Sequence, residues 1–257
     1  MNKALLLAKR QGLIVTRKVW FGFPEGRLKE RLRRLGLRFF KRFPIELTLR
    51  KGETIVQVGA QPGGELLRLA QIVGERGRVI AIEPEPANVE GLRKTLEKNS
   101  AKNVTIIPKG AWSGKGKQRL LLSPHPGDHK INVSGVLHDN DLKPENYQSF
   151  AEIEVDTVDN ILRTLGINRV DYVKITINGA ELEVLKGMEE TLRGDLRLWV
   201  KGHALKDGQP LHKAIASFLK ERGFSVQIAK GEGAPVSKDF VRKGDIYATR
   251  PRANLTI

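Results

Sequence analysis

The sequence predicts an α/β fold, a doubly wound and mostly parallel sheet of seven strands preceded by a basic helical extension. Two observations predict it. From about residue 53, short β-branched runs alternate with amphipathic helical segments, a spacing that implies right-handed crossovers between parallel strands. Before that point, residues 1–51 carry most of the chain's positive charge, and so sharp a change in composition marks a separate segment. The 257 residues therefore divide into an extension, 1–51, and a main domain, 52–257.

The extension is strongly basic. It holds fifteen Lys or Arg residues against three Glu, a net charge of +12 within the chain's formal +16. Between residues 27 and 43, Lys and Arg fill one side of a helical pattern, and apolar side chains recur on the other at Leu28, Leu32, Leu35, Phe39 and Phe43. Such a helix either packs on the main domain with its cations in solvent, grips RNA phosphates, or makes peripheral contact with an anionic membrane surface.

The main domain reads as strands and helices in turn. Its first half has strands at 54–60, 77–84 and 103–112, separated by helices at 64–74 and 85–99. Gly74 ends the first helix and Pro86 lies in the first turn of the second. Its second half has a strand and a helix within 151–166, strands at 170–177, 195–202, 224–230 and 244–251, and helices at 181–194 and 211–223.

The turn after the first strand, VGAQPGGE, is where a ligand is expected, because open α/β sheets bind ligands at the carboxyl ends of their strands. Gln61 and Pro62 occupy the place where a dinucleotide fingerprint needs glycine, which argues against NAD and FAD. Glu83 ends the second strand, twenty residues after Gly63, and can accept hydrogen bonds from both hydroxyls of a ribose. The pattern favours a nucleoside-bearing cofactor without a pyrophosphate; the alternative is a solvated carboxylate beside ordinary turn glycines.

The arrangement resembles the S-adenosylmethionine-dependent methyltransferases of the Rossmann-like class, and more closely the FkbM family. The resemblance covers about residues 53 to 250 and is most specific at KITINGAE, 174–181, where that family usually shows Lys-Ile-Asp-Val-Glu-Gly-Ala-Glu. It implies S-adenosylmethionine as the cofactor, with its ribose on Glu83. It also implies that the methionine end lies along Gly59, Ala60 and Gly63, and that the adenine lies near Gly110, Ala111 and Trp112.

Three positions depart from the family pattern, and each loses a negative charge. Gln57 stands where such families favour an acidic residue before the first glycine, while Thr176 and Asn178 replace the Asp and Glu of the signature. A carboxylate-bound metal or a carboxylate base at 176 or 178 is therefore not expected. Methyl transfer from a sulfonium depends largely on in-line positioning, and Thr176 and Asn178 can still orient an acceptor through neutral hydrogen bonds.

Glu181, Glu183 and His203 are the remaining candidates for proton transfer. Glu181 and Glu183 lie in a predicted first helical turn, where acidic residues are also favoured by helix electrostatics alone. His203 follows a strand and is the best-placed imidazole, although a surface histidine without a role is the alternative. His125 and His129 have the spacing of a metal pair, but the prolines and glycine around them argue against helical geometry, so no metal is assigned.

Composition sets the outer limits on function. The chain lacks cysteine, which excludes disulfides, thiolate metal sites and a cysteine nucleophile. It has no apolar run of about 18 residues, and Lys9 and Arg10 interrupt the short apolar patch at the start, so we expect a cytoplasmic protein without a transmembrane segment or signal peptide. We favour an enzyme that methylates a hydroxyl of a small molecule or saccharide; the alternatives are an RNA methyltransferase, in which the extension grips phosphates, and a non-catalytic binding module that keeps the fold.

Overall fold

The computed structural model describes residues 49–62, 64–124, 128–137, 149–229 and 244–250. The basic amphipathic helix of the extension and Gly63 lie outside these residues. The strands, numbered along the chain, are β1 (Thr54–Val58), β2 (Arg78–Ile82), β3 (Val104–Ile107), β4 (Gly110–Ala111), β5 (Gly116–Leu122), β6 (Lys130–Ile131), β7 (Val136–Leu137), β8 (Ser149–Asp156), β9 (Tyr172–Ile175), β10 (Arg197–Val200), β11 (Leu205–Lys206), β12 (Gln209–Pro210), β13 (Ser225–Ile228) and β14 (Ile246–Thr249).

Seven of these strands form the main sheet, in the order β13-β14-β10-β9-β1-β2-β3. Strands β10, β9, β1, β2 and β3 pair in parallel, and only β14 runs antiparallel to its neighbours β10 and β13. The predicted seven-stranded, mostly parallel sheet is therefore confirmed.

Helices cover both faces of this sheet, as a doubly wound fold requires. The helices within the described residues are α1 (Gly64–Val73), α2 (Pro86–Lys98), α3 (Val158–Thr164), α4 (Glu181–Lys186) and α5 (Leu211–Glu221), with a short 3₁₀ turn at Thr191–Arg193. Apolar residues of α1 and α2 pack with Ile55 and Val79 on one face, while those of α3, α4 and α5 pack with Val56 and Val173 on the other. The inner strands are apolar at consecutive positions because both of their faces are buried.

The sequence prediction of a single strand at 103–112 is wrong. The segment divides into β3, in the main sheet, and β4, which pairs with β8 in a separate four-stranded sheet. Pro108 lies at the break, and proline cannot donate a ladder hydrogen bond. Strand β8, which contains the strand predicted within 151–166, also belongs to this second sheet and not to the main one.

The predicted helix at 181–194 is also too long. Helix α4 ends at Lys186, and Gly187 is its C-cap. A Cβ atom at position 187 would lie 2.0 Å from the carbonyl oxygen of Trp112, so the chain passes the end of β4 too closely for any side chain. Only glycine permits this close approach between the end of α4 and the backbone that follows β4.

Candidate active site

Three parallel strands end side by side at the edge of the main sheet where ligands are expected. Hydrogen bonds continue past their ends: the amide of Thr176 donates to Val58 O (3.0 Å), that of Gly59 to Ile82 O (3.0 Å) and that of Glu83 to Ile107 O (3.1 Å). Thr176, Gly59 and Glu83 are thus held next to one another. They line a pocket whose opposite wall comes from the second sheet, at Gly110, Ala111, Leu120 and residues 129–131.

Glu83 is the buried carboxylate of this pocket, with 5% of its surface exposed. Its Oε1 accepts hydrogen bonds from the backbone amide of Glu85 (3.1 Å) and from Nδ2 of Asn88 (3.2 Å). Burial raises the pKa of Glu83 to about 7, although both hydrogen bonds act to lower it. Glu85 caps helix α2 and Pro86 begins it, so this helix positions Asn88 against the end of β2.

Gly59 and Thr176 form the floor of the pocket. Gly59 has φ of +81°, and a Cβ atom on it would lie 2.5 Å from the carbonyl oxygen of Thr176. The hydroxyl of Thr176 donates to the carbonyl oxygen of Gly59 (3.3 Å). A hydroxyl can make this bond and an ionised carboxylate cannot, so Thr176 stabilises the turn rather than presenting a base.

Asn178 joins three elements around the pocket. Its Nδ2 donates to the carbonyl oxygen of His129 (3.0 Å), and its Oδ1 accepts from Nζ of Lys201, which follows β10 (3.2 Å). Both ends of the amide make hydrogen bonds, so Asn178 connects the residue that precedes β6 to the residues that follow β9 and β10. The structure thereby places the residue as a support of the pocket wall.

Glu181 is almost fully buried, with 2% of its surface exposed, at the start of α4. Burial raises its pKa to about 7; its own backbone amide and the charge of Lys201 act to lower the pKa, and Asp245 acts to raise it. Its Oε2 is a buried atom without a hydrogen-bond partner among the described residues. Glu181 therefore lies within electrostatic range of groups that follow β10 and precede β14.

His203 and Asp245 form a buried pair beside this carboxyl group. Nε2 of His203 lies 2.5 Å from Oδ1 of Asp245, and the side chains are only 9% and 2% exposed. Nδ1 of His203 is buried and has no hydrogen-bond partner in the part of the chain that the structure describes. His203 is thus not a solvated surface histidine.

Several other residues expected at the cofactor lie just outside the pocket lining. Gln57 points to the opposite face of β1, where its Nε2 donates to Glu65 (3.2 Å), whose other oxygen pairs with buried Lys174. Ala60 is buried between two residues that line the pocket. Trp112 follows β4, and its amide donates to the carbonyl oxygen of Asp156 (2.9 Å).

Sequence reasoning missed Asn88 and Asp245, and it considered His129 only as a metal ligand. Asn88 and His129 line the pocket, and Nδ1 of His129 accepts from the amide of Ser123 (2.9 Å), which leaves the proton of a neutral ring on Nε2. Only Asn88 had a local signal, because a residue in the first turn of a helix projects back towards the preceding strand. Within the described residues, no group of three or more His, Cys, Asp or Glu side chains is placed to hold a metal ion.

The family of the chain follows from comparison with known proteins. A family model described as the methyltransferase FkbM domain matches residues 57–226, which include β1, Glu83, Thr176 and His203. The chain belongs to the FkbM methyltransferase family. Its reaction class is therefore methyl transfer, and its cofactor is S-adenosylmethionine. The resemblance stated from the signature at 174–181 is confirmed.

Two known proteins with similar sequences are methyltransferases. Methyltransferase sdnD of Sordaria araneosa is 24% identical over 185 residues, which cover 62% of this chain and 69% of that protein. Hexuronic acid methyltransferase AglP of Haloferax volcanii is 25% identical over 165 residues, which cover 63% of this chain and 60% of AglP. The match to this FkbM member thus spans three fifths of AglP.

Two solved structures that align with this chain do so at low sequence identity. Fibrillarin from Aeropyrum pernix, with natively bound S-adenosylmethionine, aligns with a TM-score of 0.47 and 15% identity over 80% of this chain and 70% of that one. An S-adenosylmethionine-dependent O-methyltransferase from Thermotoga maritima aligns with a TM-score of 0.43 and 14% identity over 88% of this chain and 72% of that one.

Among the described residues of this FkbM chain, none of the helices has the length and apolar character that crossing a membrane requires.

Proposed function

We propose that this FkbM family member transfers the methyl group of S-adenosylmethionine to a hydroxyl of a small molecule or saccharide. The observation that carries the proposal is Glu83, a buried carboxylate in a pocket at the carboxyl edge of a parallel sheet, beside the glycine turn. Its Oε1 accepts two internal hydrogen bonds, and the carboxylate retains acceptor capacity for the hydroxyls of a ribose.

The residues around the pocket suit the rest of the cofactor. In this proposal the methionine end lies along the backbone of Gly59, Ala60 and Gly63, and the adenine lies against Gly110 and Ala111. Trp112 packs against the apolar residues of the second sheet. Gln57 supports the same turn from the opposite face of the sheet through Glu65.

The acceptor side of the pocket is built from the ends of β9 and β10. The bound cofactor supplies an electrophilic methyl group, so the protein has to position the hydroxyl and remove its proton. Thr176 and Asn178 position the acceptor wall through the hydrogen bonds described above. Glu181, at the start of α4, and His203, after β10, are the candidate proton acceptors, each with a buried side-chain atom that has no hydrogen-bond partner among the described residues.

Cofactor binding is tested by calorimetric titration with S-adenosylmethionine. We expect micromolar affinity, about −8 kcal/mol, which Glu83→Ala abolishes. Glu90→Ala is the matched control, because it removes a carboxylate from the exposed side of α2, where Glu90 pairs with Lys94 in solvent. If the wild-type protein gives no heat at several temperatures, or if both variants lose affinity equally, the assignment of the cofactor site is wrong.

The acceptor is tested with S-adenosylmethionine tritiated in its methyl group. The panel contains glucuronic and galacturonic acid, neutral monosaccharides, a small-molecule extract and total RNA, the last because residues 1–51 are so basic. We expect label in a small molecule or saccharide that survives mild alkali, as an ether does and a methyl ester does not. Label confined to RNA, or absent from every pool despite cofactor binding, would contradict the proposed acceptor class.

A further inference from the structure

The pair formed by His203 and Asp245 combines one bonded and one unbonded ring nitrogen. Nε2 of His203 contacts Oδ1 of Asp245 at 2.5 Å, whereas Nδ1 is buried without a partner among the described residues. A carboxylate accepts hydrogen bonds and does not donate them, so Nε2 carries the ring proton of a neutral imidazole. Nδ1 then presents its lone pair.

The fold brings these two residues together from 42 positions apart. Strands β10 and β14 are antiparallel, with Val200 opposite Ile246, so the residues that follow β10 lie beside those that precede β14. The contact is close: a Cβ atom on Gly202 would lie 2.7 Å from the carbonyl oxygen of Gly244. The two glycines allow the strand ends to approach, and the pair is thereby fixed.

The pair lies next to the wall of the pocket. Lys201, two residues before His203, donates to Oδ1 of Asn178, and Asn178 lines the pocket. Strands β9 and β10 are parallel and in register, with Ile175 opposite Val200, so their carboxyl ends leave the sheet side by side. His203 is not among the residues that line the pocket and its Nδ1 is buried, so an acceptor contacts this nitrogen only when the wall at Asn178 opens as the acceptor binds.

We propose that His203 is the general base of the reaction and that Asp245 is the positioning residue that holds it in the Nε2–H tautomer. The inference rests on the proposed transfer to a hydroxyl. The hydroxyl oxygen forms a bond to the methyl carbon as the carbon–sulfur bond of the donor breaks and its electron pair stays on sulfur. The hydroxyl proton passes to Nδ1 of His203, and the imidazolium is stabilised by Asp245.

The first test reads the tautomer without cofactor or acceptor. Two-bond ¹H–¹⁵N spectra of the full-length protein distinguish the tautomers of its five histidines, and His203→Gln identifies the signal of His203. We expect the Nε2–H form in the wild type, its loss in Asp245→Asn, and its partial recovery in Asp245→Glu. Nδ1–H in the wild type, or an unchanged tautomer in Asp245→Asn, would overturn the proposal.

Asp171→Asn is the matched control for this experiment. Asp171 accepts from the amide of Thr54 (2.9 Å) at the amino ends of β1 and β9, the opposite end of the sheet. The substitution therefore removes a structural carboxylate and keeps the tautomer of His203. A change of tautomer in this variant as well would show that the signal reports general loosening of the fold, and would contradict the specific role of Asp245.

The second test uses the acceptor identified with the tritiated methyl donor. Asp245→Asn should lower kcat by at least about 100-fold while the affinity for S-adenosylmethionine stays at the wild-type value, because the cofactor side of the pocket is untouched. An unchanged kcat would contradict the assignment of His203 as general base. Label released by mild alkali would contradict it too, because a methyl ester forms on a carboxylate, which has no proton to give. If the wild-type protein does not bind S-adenosylmethionine, the proposed function is wrong. Failure of the proposed function is therefore distinguishable from failure of the proposed base.

Discussion

Asn88 Nδ2 donates a hydrogen bond to Glu83 Oε1 across 3.2 Å, inside the pocket at the end of β2. Both residues are buried. Burial raises the pKa of Glu83 to about 7, and the bond from Asn88 is the largest effect that lowers it. The Glu83 carboxyl group is therefore partly ionised near neutral pH, where small changes in its surroundings alter the ionised fraction.

We expect the affinity for S-adenosylmethionine to rise with pH. An ionised Glu83 accepts from both ribose hydroxyls, whereas a protonated one has to give up an acceptor position to its own proton. With a pKa of about 7, one-proton linkage gives about a tenfold gain in affinity between pH 6 and pH 8. Titrations across this range measure it. In Glu83→Gln the affinity should be lower and independent of pH, and a flat profile in the wild type would contradict the prediction.

Replacing Asn88 should move this profile without removing the carboxylate. Asn88→Ala takes away the hydrogen bond that favours the ionised form, so the pKa of Glu83 rises and less of it is ionised at pH 7. We expect weaker binding at pH 7 and near wild-type binding at pH 9. Calorimetry at the two pH values measures the difference. A loss of affinity that is equal at both would mean that Asn88 contacts the cofactor directly.

Glu181→Gln should stabilise the protein at alkaline pH. The pKa of Glu181 is raised from 4.5 to about 7 in the fold, so the folded state binds the proton more tightly than the unfolded state does. Its contribution to stability is complete below about pH 4.5 and is lost as the pH rises through 7. The unfolding free energy of the variant should exceed that of the wild type by up to about 3 kcal/mol above pH 7, as measured by urea denaturation.

Glu183, on the same helix, provides a control of opposite sign. Burial acts to raise its pKa, but hydrogen bonds from Lys186 and Ser113 outweigh this effect and lower it below the usual value. Its contribution is present at neutral pH and is lost as the pH falls. Glu183→Gln should therefore be destabilising at pH 7 and neutral in acid. The same pH trend in both variants would refute the explanation by burial.

The turn at Gly59 should not tolerate a side chain. Gly59→Ala places a Cβ atom 2.5 Å from the carbonyl oxygen of Thr176 at a φ of +81°. We expect a loss of at least about 2 kcal/mol in unfolding free energy together with loss of cofactor binding. Gly64→Ala is the control, because nothing lies within 4 Å of its Cβ position and it begins helix α1. Urea denaturation and calorimetry should find that variant as stable as the wild type or slightly more so.

The parts of the fold that were predictable are those carried by local pattern. Uninterrupted apolar runs and the helices between them indicated the parallel sheet, and the turn after β1 together with Glu83 indicated a nucleoside cofactor. Both failed element bounds had a local signal: Pro108 lies between β3 and β4, and Gly187 is the C-cap of α4. What residues 181–194 do not record is the close approach of the Trp112 backbone, which excludes a side chain at position 187.

The sequence by itself determined the fold class, the family and the cofactor, because these depend on periodicity and on short contiguous motifs. It also placed Thr176, Asn178 and His203 after strand ends, where ligands bind, and Glu181 in a first helical turn. Only the tertiary structure decided their surroundings: the hydroxyl of Thr176 is used by the backbone of Gly59, both ends of the Asn178 amide are engaged, and His203 meets Asp245. The physical reason is that burial and strand pairing, which set hydrogen-bond partners and pKa values, arise between segments far apart in the chain.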